Sequence, residues 1–169
     1  MKVAGVVLAT IVAVALQTTL ARYVIRGTLA LDLVVVVVVY AALLLGPVSG
    51  LLTGTFAGLV QDALSSGVIG IGGLSKTIVG FLVGIVSTQF IVTTAVARFV
   101  VFFFATIAHA ILFIGLYVLL GLRDRGVPYA AVLGQATGNA IVGVVAFRLA
   151  ERLPGANGRL ARGVPTPKK

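Results

Sequence analysis

Two rows made mostly of glycine, each with a period of four, constrain the fold of this chain more than any other feature of its sequence. A spacing of four keeps successive residues nearly stacked on a helix, with a drift of roughly 40° at each step. Each row is therefore a helical stripe with almost no side chain, and such stripes let two helix backbones approach closely in a membrane. The glycine-rich break between the rows, at residues 65–73, predicts a packed helical hairpin. The rows comprise Gly46, Gly50, Gly54, Gly58 and Asp62, and then Lys76, Gly80, Gly84 and Thr88.

The composition leaves too little polar surface for a soluble protein. Of the 169 residues, 60% are hydrophobic and only 10% are charged, whereas a soluble domain has about 25% charged residues. We therefore expect an all-α, polytopic membrane protein. The net charge of +9 could indicate nucleic-acid binding. Most basic residues, however, lie at the ends of apolar segments and in the tail, as membrane topology predicts, so no nucleic-acid partner is expected.

Six apolar segments within residues 1–150 are predicted to form transmembrane helices. The charge-free run 33–61 is too long for one helix. Gly46-Pro47 divides it, because proline lacks an amide donor and restricts the residue before it. Residues 34–39 are all valine, and a helix is expected there because a lone strand in lipid leaves its backbone unpaired. The predicted segments are 3–21, 29–45, 47–64, 74–92, 96–122 and 129–147.

The distribution of basic residues predicts that both termini lie in the cytoplasm. Six helices bring both chain ends to one side of the membrane, and eight of the thirteen Lys and Arg residues fall on that side. The positive-inside rule assigns the more basic side to the cytoplasm. Asp32, Asp62 and Lys76 then lie near the outer face. Residues 151–169 are basic and poor in apolar residues, so we expect a disordered cytoplasmic tail.

Seven polar residues are candidates for sites within the membrane, namely Asp32, Gln61, Asp62, Lys76, His109, Gln135 and Asn139. Asp62 and Lys76 are predicted at nearly the same depth in the third and fourth helices and are expected to form an ion pair, with an ion or substrate site as the alternative. His109 is expected to be neutral and to donate a hydrogen bond to a neighbouring helix, with a proton relay or a metal ligand as the alternative. Gln135 and Asn139 share a helical face and are expected to bond between helices, with a small-molecule pocket as the alternative.

Sequence motifs give no indication of an enzyme. The chain has no cysteine, and it carries no Walker motif, nucleophile elbow, HExxH motif or dinucleotide fingerprint. We therefore expect no catalytic residue, no metal and no cofactor. An ion channel or exporter would need a continuous polar path across the bilayer, and the predicted polar groups stop in its outer half.

A group of short motifs between residues 31 and 84 carries a family resemblance. The motifs are Leu31-Asp32-Leu33, Gly46-Pro47, the glycine row ending in Gln61-Asp62, Ser65-Ser66-Gly67 and Gly70-Ile71-Gly72. With the chain length, the six-helix layout, Asn139 in the last helix and the basic end, they resemble the rod shape-determining protein MreD family. Lys76 and His109 match no identifiable position of that family.

The resemblance implies a non-enzymatic scaffold of the bacterial inner membrane that serves cell elongation, cell shape and lateral peptidoglycan synthesis. Such a protein binds MreC and is linked through it to MreB and to the complex of RodA with a class B penicillin-binding protein. A homo-oligomer is also compatible with this role. The family is similar in fold to the substrate-binding subunits of energy-coupling-factor transporters, so vitamin binding is the alternative function. On either hypothesis, the residues for helix packing or partner binding are Gly46, Pro47, Gly50, Gly54, Gly58, Gly80 and Gly84.

Overall fold

A computed structural model describes residues 2–23, 31–65, 68–122 and 129–152, and these residues form six α-helices without a strand. The prediction of an all-α chain is confirmed, and the third helix has its predicted ends. Predictions for Ser66, Gly67, the polar turn at residues 123–126 and the tail beyond Arg152 lie outside the described residues. The helices are α1 (Lys2–Tyr23), α2 (Leu33–Leu45), α3 (Pro47–Leu64), α4 (Ile71–Gln89), α5 (Ala95–Leu119) and α6 (Tyr129–Arg152).

The valine-rich helix α2 lies at the centre of the fold, in contact with all five other helices. Val34, Val35, Val38 and Val39 are each at most 1% exposed. A helix that is apolar all round is expected to be buried, and no residue of α2 is exposed. Six consecutive valines are helical here because a helix pairs its own backbone groups in apolar surroundings. The predicted start at residue 29 is wrong: α2 begins at Leu33, because the carboxylate of Asp32 accepts a hydrogen bond from the Val35 amide and caps the helix.

α3 and α4 pack antiparallel along both glycine rows, with their backbones in contact. A Cβ added to Gly50, Gly54, Gly58, Gly80 or Gly84 would overlap backbone atoms across the contact, whereas one at Gly46, in the turn before α3, meets no atom within 4 Å. The hydroxyl groups of Thr55 and Thr77 also form a hydrogen bond of 2.8 Å between the two helices. The structure thus places the glycine rows inside the protein, facing one another. The opposed pairs are Gly50 with Gly80, Gly54 with Lys76, Gly58 with Gly73, and Gly84 with Pro47.

The turn between α2 and α3 consists of Gly46 alone. Its φ of 88° lies in the left-handed region, which glycine enters without steric cost. Pro47 is the first residue of α3, where a missing amide donor costs nothing. This pair therefore separates two helices with no intervening loop, as the sequence predicted.

Three helices among the described residues are long and apolar enough to cross a membrane, namely α4, α5 and α6. By contrast, α2 has 13 residues, which span about 20 Å, less than the roughly 30 Å of a hydrocarbon core. The apolar stretch Gly5–Gln17 within α1 is also short. Because α2 is short and central, its capping residue Asp32 lies within the protein and is 5% exposed.

Candidate functional site

Lys76 lies at the centre of a buried polar cluster between α2, α4 and α5. Its ammonium nitrogen is 3.3 Å from Oδ2 of Asp32 and 3.1 Å from Nε2 of His109. Lys76 is 2% exposed, and both partners are also buried. A charge buried in apolar surroundings is tolerated when it is paired and hydrogen-bonded, and the two contacts meet that requirement.

The predicted ion pair between Asp62 and Lys76 is wrong, because Lys76 pairs with Asp32. The prediction assumed that α4 begins near Leu74, which would place Lys76 at the helix end. α4 begins instead at Ile71. Lys76 is therefore five residues beyond the start of α4, which is about 7.5 Å along the helix axis. At that position it faces the capping residue of the short central helix.

Asp62 caps the start of α4 from the end of α3. Its Oδ2 accepts hydrogen bonds from the backbone amides of Gly70 (2.9 Å) and Gly73 (3.0 Å). Amide groups in the first turn of a helix have no partner within the helix, and a carboxylate there is favoured by the helix dipole. The side chain also lies against Gly72, where a Cβ would overlap it. Asp62 thus stabilises the early start of α4, and this early start places Lys76 away from Asp62.

A chain of hydrogen bonds extends the cluster from Asp32 into α6 and α5. The backbone amide of Asp32 donates to Oδ1 of Asn139 (3.0 Å), whose side-chain nitrogen donates to the hydroxyl of Thr106 (3.3 Å). Thr106 donates in turn to the carbonyl of Phe102 (2.8 Å). Asn139 and Thr106 are fully buried. Asn139 therefore bonds between helices, and the cluster connects four of the six helices.

His109 contacts the neighbouring helix α4 through Lys76, but it does not donate the hydrogen bond as predicted. An ammonium group has only donors, so Nε2 accepts and the ring hydrogen lies on Nδ1. Within the described part of the chain, Nδ1 has no hydrogen-bond partner. The ring also packs on Phe113, with centroids 5.8 Å apart. His109 is thus held by one polar and one aromatic contact and retains an unused donor.

An open cleft of about 260 Å³ adjoins the cluster at the end of the bundle where α3 and α5 end and α4 and α6 begin. It brings Asp62, Gln61 and Gln135 close to the ion pair and His109, although Asp62 and Lys76 do not pair. The Oε1 atom of Gln61 is buried and has no partner among the described residues. The cleft is lined by Asp32, Gln61, Asp62, Ser65, Val68, Lys76, His109, Ala110, Phe113, Ile114, Tyr117, Val132 and Gln135.

The sequence analysis missed a second buried cation at the opposite end of the bundle. Nη2 of Arg98, near the start of α5, lies 2.6 Å from Oε1 of Glu151, near the end of α6. The guanidinium also stacks over the ring of Phe147, with Cζ 4.3 Å from its centroid. Sequence reasoning treated Arg98 only as a flanking charge. The available signal was Glu151, the one glutamate of the chain, placed at the far end of the neighbouring helix.

The arrangement of the polar side chains provides hydrogen bonding and electrostatic pairing across helices. Asp32 and Lys76 neutralise one another, and Asp62 is stabilised by hydrogen bonds from backbone amides at a helix start. Among the described residues, no group of three or more His, Asp or Glu side chains is placed to hold a metal ion. The geometry defines a helical membrane protein with a buried polar cluster and an adjoining cleft.

Comparison with known proteins assigns this membrane protein to a family. The family model described as rod shape-determining protein MreD matches residues 1–145. The chain therefore belongs to the MreD family of rod shape-determining membrane proteins, and the resemblance carried by residues 31–84 is confirmed. A search of curated proteins and a search of solved structures each gave no match.

Proposed function

We propose that the chain is a non-enzymatic scaffold of the bacterial cell-elongation machinery that helps to control cell shape and lateral peptidoglycan synthesis. The observation that carries this proposal is the family match over residues 1–145, which includes five helices completely and most of the sixth. The short connections support it, since Gly46 alone joins α2 to α3 and residues 90–94 join α4 to α5. The buried polar side chains are also engaged largely with one another.

The proposed partner is MreC, and through it MreB and the complex of RodA with a class B penicillin-binding protein. The glycine rows are occupied by contacts between α3 and α4, so a partner helix would bind elsewhere. On α3, Val48, Leu52, Phe56 and Leu59 are exposed and follow one another at helical spacing. Large apolar side chains of this kind suit contact with a partner transmembrane helix or with lipid.

Co-purification with MreC, combined with complementation of cells that lack the chain, tests the scaffold. A photo-crosslinking residue at Leu52 or Phe56 is compared with one at Phe104 or Ile141, which are exposed on α5 and α6. We expect MreC to co-purify and to crosslink from one pair of positions in preference to the other. Failure of MreC to co-purify with a chain that restores rod shape would contradict the proposed partner.

We further propose that the chain crosses the bacterial inner membrane six times, with the short helix α2 enclosed by the other helices, and that both termini are cytoplasmic. The antiparallel α3–α4 contact and the excess of basic residues on the side of the termini support this topology. Single cysteines at Gly67 and Gly126 should react with an impermeant reagent from outside, and one at Gly163 should not, because the native chain has no cysteine. Reversed labelling would move the cleft to the cytoplasmic side.

The second candidate function is that of a vitamin-binding subunit of an energy-coupling-factor transporter. The open polar cleft is the observation that favours it. Its volume of about 260 Å³ is just below the roughly 300–1,000 Å³ of ligand pockets for drug-sized molecules, which favours the scaffold. Thermal stabilisation of the purified protein by a vitamin, without co-purification of MreC, would favour the transporter subunit over the scaffold.

A further inference from the structure

The cleft beside the buried ion pair combines an apolar wall with polar groups. Phe113, Ile114 and Val132 provide part of the apolar wall, and the side-chain amides of Gln61 and Gln135 belong to the same lining. A concave site with a few convergent polar groups on an apolar surface is the usual form of a small-molecule site. The scaffold function does not require such a cleft.

Each of the charged side chains Asp32, Asp62 and Lys76 beside the cleft already has polar partners within the protein. Lys76 is 3.3 Å from the carboxylate of Asp32, and Asp62 accepts two backbone amides at the start of α4. An added charge would lose its hydration and find no free counter-charge, and burial of an unpaired charge is strongly unfavourable. Because these charged groups are already engaged with partners inside the protein, the cleft favours an uncharged ligand.

Two side chains of the lining retain an unused hydrogen-bonding atom, one a donor and the other an acceptor. Nδ1 of His109 carries the ring hydrogen because Nε2 accepts from Lys76, and Oε1 of Gln61 is an acceptor. Neither atom has a partner among the described residues. A buried polar atom without a partner is destabilising. Both atoms are buried, and the terminal torsions of Gln61 and His109 are soft, so small rotations of the two side chains can turn these atoms toward a ligand in the cleft.

We propose that the cleft binds a small uncharged molecule that presents an amide group. An amide combines an acceptor for an N–H donor with a donor for a carbonyl oxygen, and it adds no charge. Its apolar body packs against Phe113 and Val132. The cleft volume of about 260 Å³ accommodates a body of the size of one small ring or a short branched chain. This inference is independent of MreC binding, so either proposal can fail without the other.

Ligand titration of the full-length protein in detergent tests the proposal, with benzamide and isobutyramide as probes. Benzoate and benzylammonium carry the same ring as benzamide with a negative or a positive charge, and they serve as matched controls. His109 is the only histidine of the chain, so ¹⁵N-labelled histidine gives one pair of ring-nitrogen signals at the cleft. We expect saturable shifts of the Nδ1 signal with the amides and binding at least ten-fold weaker for the charged analogues.

Three variants locate the binding site. Gln61→Leu removes the unused acceptor and should weaken amide binding at least ten-fold, and Val132→Phe should abolish it by filling the cleft. Gln89→Leu makes the same change at an exposed residue at the opposite end of α4, and it should bind as the native protein does. Size-exclusion chromatography and helical circular dichroism establish folding, and Val132→Phe decides the question if Gln61→Leu does not fold. The proposal is overturned if neither amide binds, if a charged analogue binds as tightly, or if a folded cleft variant binds normally.

Discussion

The ammonium nitrogen of Lys76 lies 3.3 Å from the carboxylate of Asp32, although the two residues belong to helices separated along the chain by α3. This pair joins the start of the central helix α2 to the interior of α4. The glycine contacts between α3 and α4 bring α4 close enough for the pair to form beside α2. The packing of small residues therefore positions the only ion pair that the described residues form at this end of the bundle.

Removal of one partner of this pair should destabilise the protein more than removal of both. Asp32→Asn and Lys76→Met each leave a buried charge without its partner, at a cost of about 3–5 kcal/mol, and the double variant avoids that cost. Chemical unfolding in detergent measures the coupling free energy. Asp62→Asn combined with Lys76→Met is the matched control and should be additive, since Asp62 bonds to backbone amides. Additive effects for Asp32 and Lys76 would contradict the pairing.

Loss of the accepting nitrogen of His109 should destabilise the protein more than loss of the imidazole ring itself. His109→Gln keeps an acceptor for the Lys76 ammonium, so we expect modest destabilisation and unchanged cell shape in a complementation test. His109→Phe keeps an aromatic ring against Phe113 but removes the acceptor. It should cost about 1.5–3 kcal/mol, the usual range for a hydrogen bond to a charged group. A stable Gln variant that fails to restore rod shape would instead indicate that the imidazole handles protons.

Two glycine-to-alanine substitutions should have opposite effects on stability. A Cβ at Gly54 would overlap the backbone of Lys76, whereas one at Gly115 in α5 meets no atom within 4 Å. Gly54→Ala should therefore cost about 1–3 kcal/mol through overpacking, and Gly115→Ala should add up to about 1 kcal/mol through helix propensity. Thermal unfolding in one detergent compares them. Equal stability of the two variants would mean that α3 and α4 do not meet at Gly54.

Arg98 should not be replaceable by lysine. Its planar guanidinium stacks on Phe147 while it pairs with Glu151, and an ammonium cannot adopt both contacts in the same way. We expect Arg98→Lys to lower the melting temperature, and Glu151→Gln to have a smaller effect because the Glu151 side chain is 35% exposed. Phe147→Leu in the Arg98→Lys background should add little if the stacking is already lost. A melting temperature unchanged by Arg98→Lys would show that the stacking contributes nothing.

The sequence could predict the contacts that depend on regular helical spacing. The period of four in the glycine rows was sufficient to predict that α3 and α4 pack closely, and Gly46-Pro47 was sufficient to place the break between α2 and α3. It could not predict the partner of Lys76. That partner depends on which third helix lies beside the hairpin, and on the start of α4, which Asp62 shifts by capping amides eight and eleven residues further along the chain.

Asn139 forms hydrogen bonds between helices as predicted, but the local sequence pattern could not predict that Asp32 is its partner. The contact uses the backbone amide of a residue that lies just outside a helix. Only the capping geometry reveals that this amide is available. The cleft was equally hidden, because its lining comes from positions near the ends of several helices, and no spacing within one helix brings them together.

The hydrogen bond between Asp32 and Asn139 joins residues 107 positions apart and has a consequence for how the protein is made. Until α6 is synthesised, the amide of Asp32 and the hydroxyl of Thr106 lack the side chain of Asn139 that connects them. The first five helices alone therefore lack the acceptor that the Asp32 amide uses in the complete fold. The last helix to be synthesised thus completes the polar interior, and truncation before Asn139 should destabilise the helices that precede it.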